Sequence, residues 1–521
     1  MSKDIDNRLT IELYRCWQTL RVMKKLILIL FITFCSLSIY GQASPHINSL
    51  FRNSYTVFEL QRLPNGMYRD AKLFSGTDYH PISISNTGMG LISLCIADAM
   101  GWINNGSELA LATLKTATGN TTGFTPDRTS NGYYRHFMDV TNGDQAFNSE
   151  YSTIDTDILV AGALFSMKYF QNNNITQYAM ELWNSIDFDA AIATPSTGQI
   201  YLSMNADGSG DSNGITIPYN EYMLVAWFAK NYSSESDSVG TVLWDNHYSS
   251  ATSLPTISYD GNTILTDHNT SFLSSFTHQF NYYLCNYFTT SNDYLTFFKS
   301  AQEADKSWWK TTENSSFEWG LGAGSAITTS YHADAINNNE DIIVSPHIIA
   351  GYIPVNPSGK NDLINLWNNS PAKYSLPTAD NDPILWRYTN SNTMWMPNEI
   401  IGVDHASMLF GLSTLPEYLG SDFFPDNNDF FPFPTLNTPQ FSLNQKTKVY
   451  PNPTTNQITI QLDKQYENIS ILISNTRGQA VFSKALNRVE KIKIPIKIES
   501  GLYFLNIKQN EGSKTFKIII Q

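Results

Sequence analysis

The spacing of the apolar residues changes once along this chain, and that change limits how it can fold. From about residue 50 to 425 apolar residues recur with a helical period, whereas after residue 445 they alternate with polar residues as in short strands. The predicted helical segments are 83–102, 107–116, 155–171, 175–186, 218–230, 270–288, 291–305, 340–352, 360–369 and 399–413. Because no comparable set of alternating strands accompanies them, the sequence predicts an all-α main domain.

The helical segments follow one another in pairs, with aromatic-rich loops between the pairs. This arrangement fits an (α/α)6 toroid, but the periodicity is also compatible with another helical array. The six or seven short strands after the helices have the spacing of a small all-β sandwich. The predicted order is therefore a helical domain at 44–425, a linker rich in Pro and Asn at 426–445, and a β-sandwich at 446–521.

The N-terminal region has the features of a secretory signal peptide. Two lysines at 24–25 precede an apolar run at 26–40, and a small-residue cleavage site follows at 41–43. The apolar run is too short for a membrane span. The sequence predicts a signal peptide at 23–43, after an extension or misassigned start at 1–22, and hence a secreted or cell-surface protein.

The composition excludes several functions. Charged residues make up 15% of the chain and aromatic residues 13%, which does not fit a disordered chain or a nucleic-acid-binding protein. The net charge is -14, although residues 441–521 carry twelve Lys and Arg against five Asp and Glu, so the acidity lies in the helical part. Such an acidic body favours a neutral or cationic partner. Cys95 and Cys285 are expected to be buried free thiols, and no metal site or cofactor is predicted.

Acidic and aromatic residues concentrate just before a strongly apolar helix. Asn131-Gly-Tyr-Tyr-Arg-His-Phe-Met-Asp139 is followed by Glu150-Tyr-Ser-Thr-Ile-Asp-Thr-Asp157, and the helix continues to residue 170. This pattern fits a sugar-binding cleft, where C–H faces of sugars rest on aromatic rings and hydroxyls bind polar side chains. The alternative is a polar loop whose Asp and Ser residues cap the helix. The candidate substrate-binding residues are Tyr133, Tyr134, Arg135, His136, Glu150, Asp155, Trp319 and Trp395.

The C-terminal segment resembles the type A C-terminal sorting domain of the Bacteroidetes type IX secretion system. Three motifs carry the resemblance: Val449-Tyr-Pro-Asn-Pro-Thr454, Gly501-Leu-Tyr-Phe-Leu-Asn-Ile507 and Lys517-Ile-Ile-Ile-Gln521. The resemblance implies export across the outer membrane, with the type IX machinery as a partner of this domain.

The helical part resembles the glucoamylase-like domain that includes glycoside hydrolase family 144, the bacterial β-1,2-glucanases with (α/α)6 barrels. The matching motifs, in order, are Ser85-Asn-Thr-Gly-Met-Gly-Leu91, Gly132-Tyr-Tyr-Arg-His-Phe-Met-Asp139, Ser152-Thr-Ile-Asp-Thr156, Ala161-Gly-Ala-Leu164, Tyr219-Asn-Glu-Tyr-Met223, Trp319-Gly-Leu-Gly-Ala323 and Val403-Asp-His405. The chain departs from the family where it reads Ala229-Lys-Asn-Tyr-Ser instead of a Ser-Pro-Thr-His motif, and where His405 follows Asp404 instead of Gln-Gly.

Glycoside hydrolysis needs a carboxylic acid that protonates the leaving oxygen and a carboxylate that activates water or acts as nucleophile. Apolar neighbours would keep Glu221 protonated, and the resemblance places the acid there; the alternative is a glutamate that interacts with a helix dipole. Asp139 and Asp404 are the candidates for the base or water-positioning residue. Structural roles stay open for both of them, as they do for Glu150 and Asp155.

These observations predict a secreted glycoside hydrolase that cleaves a β-glucan, with β-1,2-glucan as the first choice and inversion as the expected stereochemistry. One alternative is a related glycosidase or transglycosylase with another linkage specificity. Another is a surface glycan-binding protein that has kept the toroid without catalysis. The expected partners are an oligo- or polysaccharide and the secretion machinery, with neither nucleic acid nor a stable membrane span.

Overall fold

The computed structural model describes residues 44–217, 219–232, 235, 237–267, 270–369, 371–389, 394–433, 448–466, 469–475, 480–509 and 512–521. These residues form two compact units, the first ending at Phe430 and the second beginning at Phe431. The predicted extension and signal peptide lie outside the described residues, as do residues 434–445 of the predicted linker. Among the described residues, no helix has the length and apolar character needed to cross a membrane.

The first unit is largely helical. Its α-helices are α1 (Pro45–Gln61), α2 (Ile84–Ala99), α3 (Gly106–Ala117), α4 (Thr153–Phe170), α5 (Asn173–Asn184), α6 (Met223–Tyr232), α7 (Val239–His247), α8 (Ser275–Leu284), α9 (Asn286–Thr290), α10 (Asn292–Trp308), α11 (Pro346–Gly351), α12 (Gly359–Asn369), α13 (Gly402–Ser413) and α14 (Phe423–Asn427). Several predicted segments are shortened: 340–352 is helical only in α11, and 270–288 is divided by the extended backbone of Cys285 into α8 and α9.

Helices α2 and α4 pack against each other in the interior of the unit. Both are buried around almost their whole circumference, as expected for helices in the interior of a domain. Their closest approach is at Gly88 and Gly162. A Cβ atom at Gly88 would lie 2.2 Å from the carbonyl oxygen of Ile158, and one at Gly162 would lie 2.2 Å from the carbonyl oxygen of Gly88. Only hydrogen fits at either position, so this helix spacing is fixed by backbone contact.

Short strands lie between the helices, which the prediction of an all-α domain did not include. They are β1 (Ala71–Leu73), β2 (Ile82–Ser83), β3 (Phe137–Met138), β4 (Tyr151–Ser152), β5 (Ile192–Thr194), β6 (Gln199–Tyr201), β7 (Ser203–Met204), β8 (Ile215–Thr216), β9 (Thr256–Tyr259), β10 (Asn262–Leu265), β11 (Ala323–Ser325), β12 (Tyr331–Ala333), β13 (Lys373–Ser375), β14 (Pro383–Leu385) and β15 (Glu399–Ile401). A strand of two to four residues is too short to show an alternating pattern in the sequence.

Three of these strands run directly into helices. β2 precedes α2, β4 precedes α4 and β15 precedes α13, and they pair in antiparallel fashion with β3, β7 and β1 respectively. Ser83 and Ser152, the last residues of β2 and β4, cap α2 and α4 by accepting hydrogen bonds from the backbone N–H groups of Asn86 and Asp155. The paired strands therefore fix where each of these helices begins.

The second unit consists of strands. They are β16 (Lys448–Tyr450), β17 (Gln457–Tyr466), β18 (Ile469–Asn475), β19 (Ala480–Leu486), β20 (Val489–Pro495), β21 (Gly501–Gln509) and β22 (Gly512–Ile520). They form one antiparallel sheet in the order β16-β17-β20 and another in the order β19-β18-β21-β22. Alternate side chains such as Ile460, Ile471 and Leu505 point into one apolar core shared by both sheets. This agrees with the predicted strand-rich C-terminal domain.

Candidate active site

The first unit contains a cavity of about 560 Å³ at the N-terminal ends of several helices. Ser85 of α2, Asp155 of α4, Phe276 of α8 and Asp404 of α13 lie in the first turns of their helices, and all four line it. Glu221 lies two residues before α6 and also lines it. The volume is in the usual range for small-molecule sites. Helix N-termini carry a partial positive charge, so their convergence favours carboxylate groups here.

The carboxyl group of Asp404 is buried beside the cavity. Its Oδ1 atom accepts a hydrogen bond of 3.1 Å from the hydroxyl of Tyr331, and no group among the described residues donates to its Oδ2 atom. Burial raises the pKa of Asp404 to about 7, assisted by the charge of Asp70 and opposed by Arg387 and the hydrogen bond from Tyr331. Near neutral pH this group can therefore either hold or release a proton.

Glu221 is held in a turn before α6 that Asn220 stabilises. The side-chain oxygen of Asn220 accepts a hydrogen bond of 3.1 Å from the N–H of Tyr222, and the backbone carbonyl oxygen of Asn220 accepts one of 3.0 Å from the side-chain amide of Asn281. Burial raises the pKa of Glu221, and the charges of Asp267 and Asp155 raise it further. A carboxyl group in this environment retains its proton at a higher pH than an exposed glutamate does.

Asp70 is a third cavity-lining carboxyl group, and the sequence analysis did not identify it. Its backbone is fixed because its N–H donates to Pro81 and its carbonyl oxygen accepts from Gly402 at the start of α13. Burial raises the pKa of Asp70 to about 6, against the opposing positive charges of His136 and His80. Three carboxyl groups of the cavity, Asp70, Glu221 and Asp404, thus have raised pKa values.

Two histidines of the cavity pair with carboxylates. The Nδ1 atom of His136 lies 3.0 Å from Oε1 of Glu150, and its Nε2 atom lies 3.7 Å from Oδ1 of Asp155. In the second pair, Nε2 of His80 lies 3.0 Å from Oε2 of Glu399. The hydrogen bond from His136 lowers the pKa of Glu150, and the one from His80 lowers the pKa of Glu399. Both glutamates are therefore ionised at neutral pH.

The charge of His136 is set by its carboxylate neighbours. Burial alone would lower its pKa, but the charges of Asp155, Glu150 and Asp70 and the hydrogen bond to Glu150 raise it to about 9. Potential ligand atoms of His136, Glu150 and Asp155 all lie within 4.8 Å of one another. The two carboxylates approach opposite nitrogens of one protonated ring, which is the geometry of an ion-paired network rather than of ligands around one ion.

Three of the predicted sugar-binding aromatic residues are fully buried away from the cavity. The hydroxyl of Tyr133 donates to the carbonyl oxygen of Asp187, and that of Tyr134 donates to the carbonyl oxygen of Ala117. The indole Nε1 of Trp319 donates to Asp362 over 2.8 Å. Their rings are packed on all sides, so no face is free to contact a sugar, and the interpretation of these residues is corrected to a structural role.

Three polar or partly exposed candidates also lie outside the cavity lining. Asp139 accepts backbone hydrogen bonds from Thr141 and Asn142, so it stabilises its own turn and is not placed to act as a base. Arg135 forms an ion pair of 2.8 Å with Asp127. Trp395 forms an isolated backbone bridge with Thr389. Of the predicted site residues, Glu221, Asp404, His136 and Asp155 line the cavity, and Glu150 contacts it only through its pairing with His136.

Several cavity residues were not recognised in the sequence: Asp70, Tyr79, His80, Phe147, Tyr331 and Glu399. Asp70 precedes β1 and Glu399 begins β15, and these paired strands are too short to be detected by periodicity. A polar residue next to a predicted helix start was the available signal for Glu399. Tyr331 lies 73 residues before its partner Asp404 and carried no sequence signal for this contact.

Solved structures with a fold similar to that of the first unit include three glucanases. The endo-β-1,2-glucanase from Chitinophaga pinensis, in complex with sophorotriose and glucose, matches with a TM-score of 0.62 and 17% identity over 75% of this chain and 97% of that one. The β-1,2-glucanase from Parabacteroides distasonis matches with a TM-score of 0.59 and 14% identity over 74% and 59% of the two chains. The endo-β-1,2-glucanase from Talaromyces funiculosus with sophorose gives 0.54 and 11% over 73% and 85%.

These likenesses define the fold of the first unit, which is that of the endo-β-1,2-glucanases and related glucoamylase-like proteins. Residues 448–521 match the family described as secretion system C-terminal sorting domain. The chain thus joins a unit with the fold of these glucanases to a C-terminal sorting domain. No curated protein sequence matches the chain.

Proposed function

We propose that this protein is an exported glycoside hydrolase that cleaves a β-glucan. The proposal is supported above all by one observation, that two carboxyl groups with raised pKa values, Glu221 and Asp404, line one cavity. Glycoside hydrolysis needs one protonated carboxyl group and one ionised carboxylate, and the surroundings of each group decide which of them holds the proton. The structural likeness to β-1,2-glucanases makes β-1,2-glucan the first substrate to test.

In this proposal Glu221 is the general acid, because the resemblance to the glucanase motif places the acid at this position and burial raises its pKa. Asp404 is the general base that activates water, since a group with a pKa of about 7 is partly ionised at neutral pH. Asp155, His136 and Glu150 bind sugar hydroxyls as a charged network. The reaction proceeds with inversion, and the helices of the first unit complete an (α/α)6 toroid around the site.

The sorting domain supports export as part of the same proposal. It is the signal read by the type IX secretion machinery, which carries the protein to the cell surface or the medium. Deletion of residues 448–521 is expected to retain the protein inside the cell envelope of a host with this secretion system. Appearance of the truncated protein in the medium at the level of the full chain would contradict this role.

The experiment that tests the activity measures release of reducing sugar from β-1,2-, β-1,3-, β-1,4- and α-linked glucans. The full chain is compared with Glu221→Gln and with the control Glu303→Gln, which removes an exposed carboxylate that lies 3.7 Å from Lys299 on α10. We expect one β-glucan to be cleaved, a loss of about 100-fold or more in Glu221→Gln, and no change in the control. The anomer formed first, followed by NMR, tests inversion.

Two results would contradict the proposal. Full activity in Glu221→Gln would show that another group is the acid. If no glucan is cleaved but one is bound, the protein is a glycan-binding protein with this fold.

A further inference from the structure

Exposed aromatic side chains of the first unit concentrate at the cavity. Among its described residues, the exposed Phe, Tyr and Trp side chains are Tyr79 (65% exposed), Phe147 (63%), Tyr331 (49%) and Tyr232 (39%). The first three line the cavity. A side chain that lines a cavity and is still mostly in contact with solvent lies at the mouth. Tyr79 and Phe147, the two most exposed, therefore mark the mouth of this one.

The backbone at Phe147 has an unusual conformation. Phe147 and Asn148 have φ angles of 54° and 51°, and they are the central residues of a turn in which the N–H of Ser149 donates to the carbonyl oxygen of Ala146. Turns with two positive φ angles favour Gly, Asn and Asp, so Asn148 suits its position. A bulky aromatic residue at Phe147 does not, and its conformation is strained.

The turn is held rigidly against β3. The N–H of Ala146 donates to the carbonyl oxygen of Phe137, and the N–H of Phe137 donates to the hydroxyl of Ser149 over 3.1 Å. Arg135 donates to the carbonyl oxygen of Ser149 over 2.7 Å. The ring of Phe147 makes an edge contact with that of Phe137, at 5.9 Å between centroids. The exposed ring is thus fixed in place.

Tyr79 is also fixed, by stacking on a cavity residue. Its ring lies 4.3 Å from the ring of His80, at an angle of 27°. His80 is in turn held by its 3.0 Å contact with Glu399. One face of Tyr79 is therefore occupied, while 65% of the residue remains exposed.

Neither core packing nor backbone preference explains a strained, rigid and exposed aromatic ring at Phe147. A fixed ring with a free face is suited to stack on the C–H face of a sugar, at little cost in side-chain entropy. We propose that Phe147 and Tyr79 form an aromatic platform at the cavity mouth, which binds sugar residues of a glucan chain beyond those inside the cavity. This inference rests on the proposed function, and it adds selectivity for longer chains.

The test compares Phe147→Asn, Phe147→Tyr and the control Tyr232→Ala, whose exposed ring lies outside the cavity. Asparagine accepts a positive φ, so Phe147→Asn removes the ring without adding backbone strain. We expect its KM for a long β-glucan to rise about tenfold with kcat unchanged, and its KM for the shortest cleaved oligosaccharide to stay the same. Phe147→Tyr keeps an aromatic ring and is expected to keep the wild-type KM. Tyr232→Ala is expected to leave the KM unchanged.

The melting temperature separates this role from a structural one. Phe147→Asn should keep or raise it, because the strained residue is replaced by one that fits the turn. A wild-type KM on the long glucan in Phe147→Asn, or an equal rise for short and long substrates, would overturn the platform.

Failure of the proposed function has a different signature. If the wild-type protein cleaves no glucan, retardation of the same variants in gels that contain each glucan replaces KM. Weaker retardation of Phe147→Asn alone would then support the platform in a binding protein. Equal retardation of wild type and Phe147→Asn, or none of either, would reject it.

Discussion

The hydroxyl of Tyr331 donates a 3.1 Å hydrogen bond to Oδ1 of Asp404. Tyr331 begins β12, whereas Asp404 lies in the first turn of α13, so the β11–β12 hairpin contacts the start of this helix at the cavity. The hydrogen bond stabilises the ionised form of Asp404 and opposes the effect of burial on its pKa. This contact, together with burial and the charge of Arg387, therefore influences the protonation of the proposed base.

We predict that Tyr331→Phe shifts the acidic limb of the pH–kcat/KM profile upward by roughly one pH unit. The variant removes the donor and keeps the ring. Without the hydrogen bond the pKa of Asp404 rises above about 7, so a higher pH is needed to ionise it. The profile is measured with the glucan that the wild-type protein cleaves. An acidic limb at the wild-type pH would mean that Asp404 is not the ionised group that limits the reaction.

We predict that His136 remains protonated well above the pH range of an ordinary histidine. Its pKa is raised to about 9, mainly by Asp155 and Glu150, so its contribution to stability is complete below pH 6.5 and is lost as the pH rises through about 9. NMR titration of ring-labelled histidines measures the pKa directly. Glu150→Gln should lower it, because the substitution removes both the charge and the ionic hydrogen bond. A His136 resonance that titrates near 6.5 in the wild-type protein would contradict the ion-paired network.

We predict that Asp157→Asn stabilises the protein at neutral pH. Asp157 is completely buried in α4, neither of its carboxyl oxygens has a hydrogen-bond partner among the described residues, and burial raises its pKa well above the ordinary value. The folded state keeps a proton that the unfolded chain releases above about pH 4, so its contribution to the free energy of unfolding falls as the pH rises. The advantage of the variant should grow by about 1.4 kcal/mol per pH unit.

Urea unfolding of both proteins at pH 5 and pH 7 measures this difference. Other buried carboxyl groups affect both proteins equally, so only the difference between the two unfolding free energies is informative. An identical difference at the two pH values would show that Asp157 is ionised in the folded protein or is not buried as described.

The division into a helical and a strand-rich part could be predicted, because each period of the apolar residues is sustained through its own part of the chain. Glu221, His136 and Asp404 are also among the predicted site residues, because the segments that contain them resemble motifs of the glucoamylase-like family, and all three line the cavity. For Asp155 the sequence leaves open the alternative role of a helix cap. The structure assigns the capping side chain to Ser152, which leaves the Asp155 side chain free to line the cavity.

The remaining residues depended on contacts that are distant in sequence or on local turns. In the sequence Tyr133 and Tyr134 cannot be distinguished from aromatic residues that bind a sugar. Only the packing of the folded chain shows that both rings are enclosed. Asp139 and Asp155 are both candidates in the sequence, and only the structure shows that the side chain of Asp139 accepts a hydrogen bond within its own turn. Phe147 could not be recognised in the sequence as a residue of a tight turn, because phenylalanine rarely adopts a positive φ.

The contact between Gly88 and Gly162 has a consequence for how specificity can be engineered. It joins the backbones of α2 and α4 so closely that their first turns, with Ser85 and Asp155, cannot be moved apart gradually by changing side-chain sizes. A side chain at either glycine would force the two helices apart. The turn that carries Phe147 is held by hydrogen bonds to β3 and Arg135 and not by such a backbone contact between helices, so a change of preferred chain length is more accessible by grafting turns that keep these hydrogen bonds onto an unchanged helical frame.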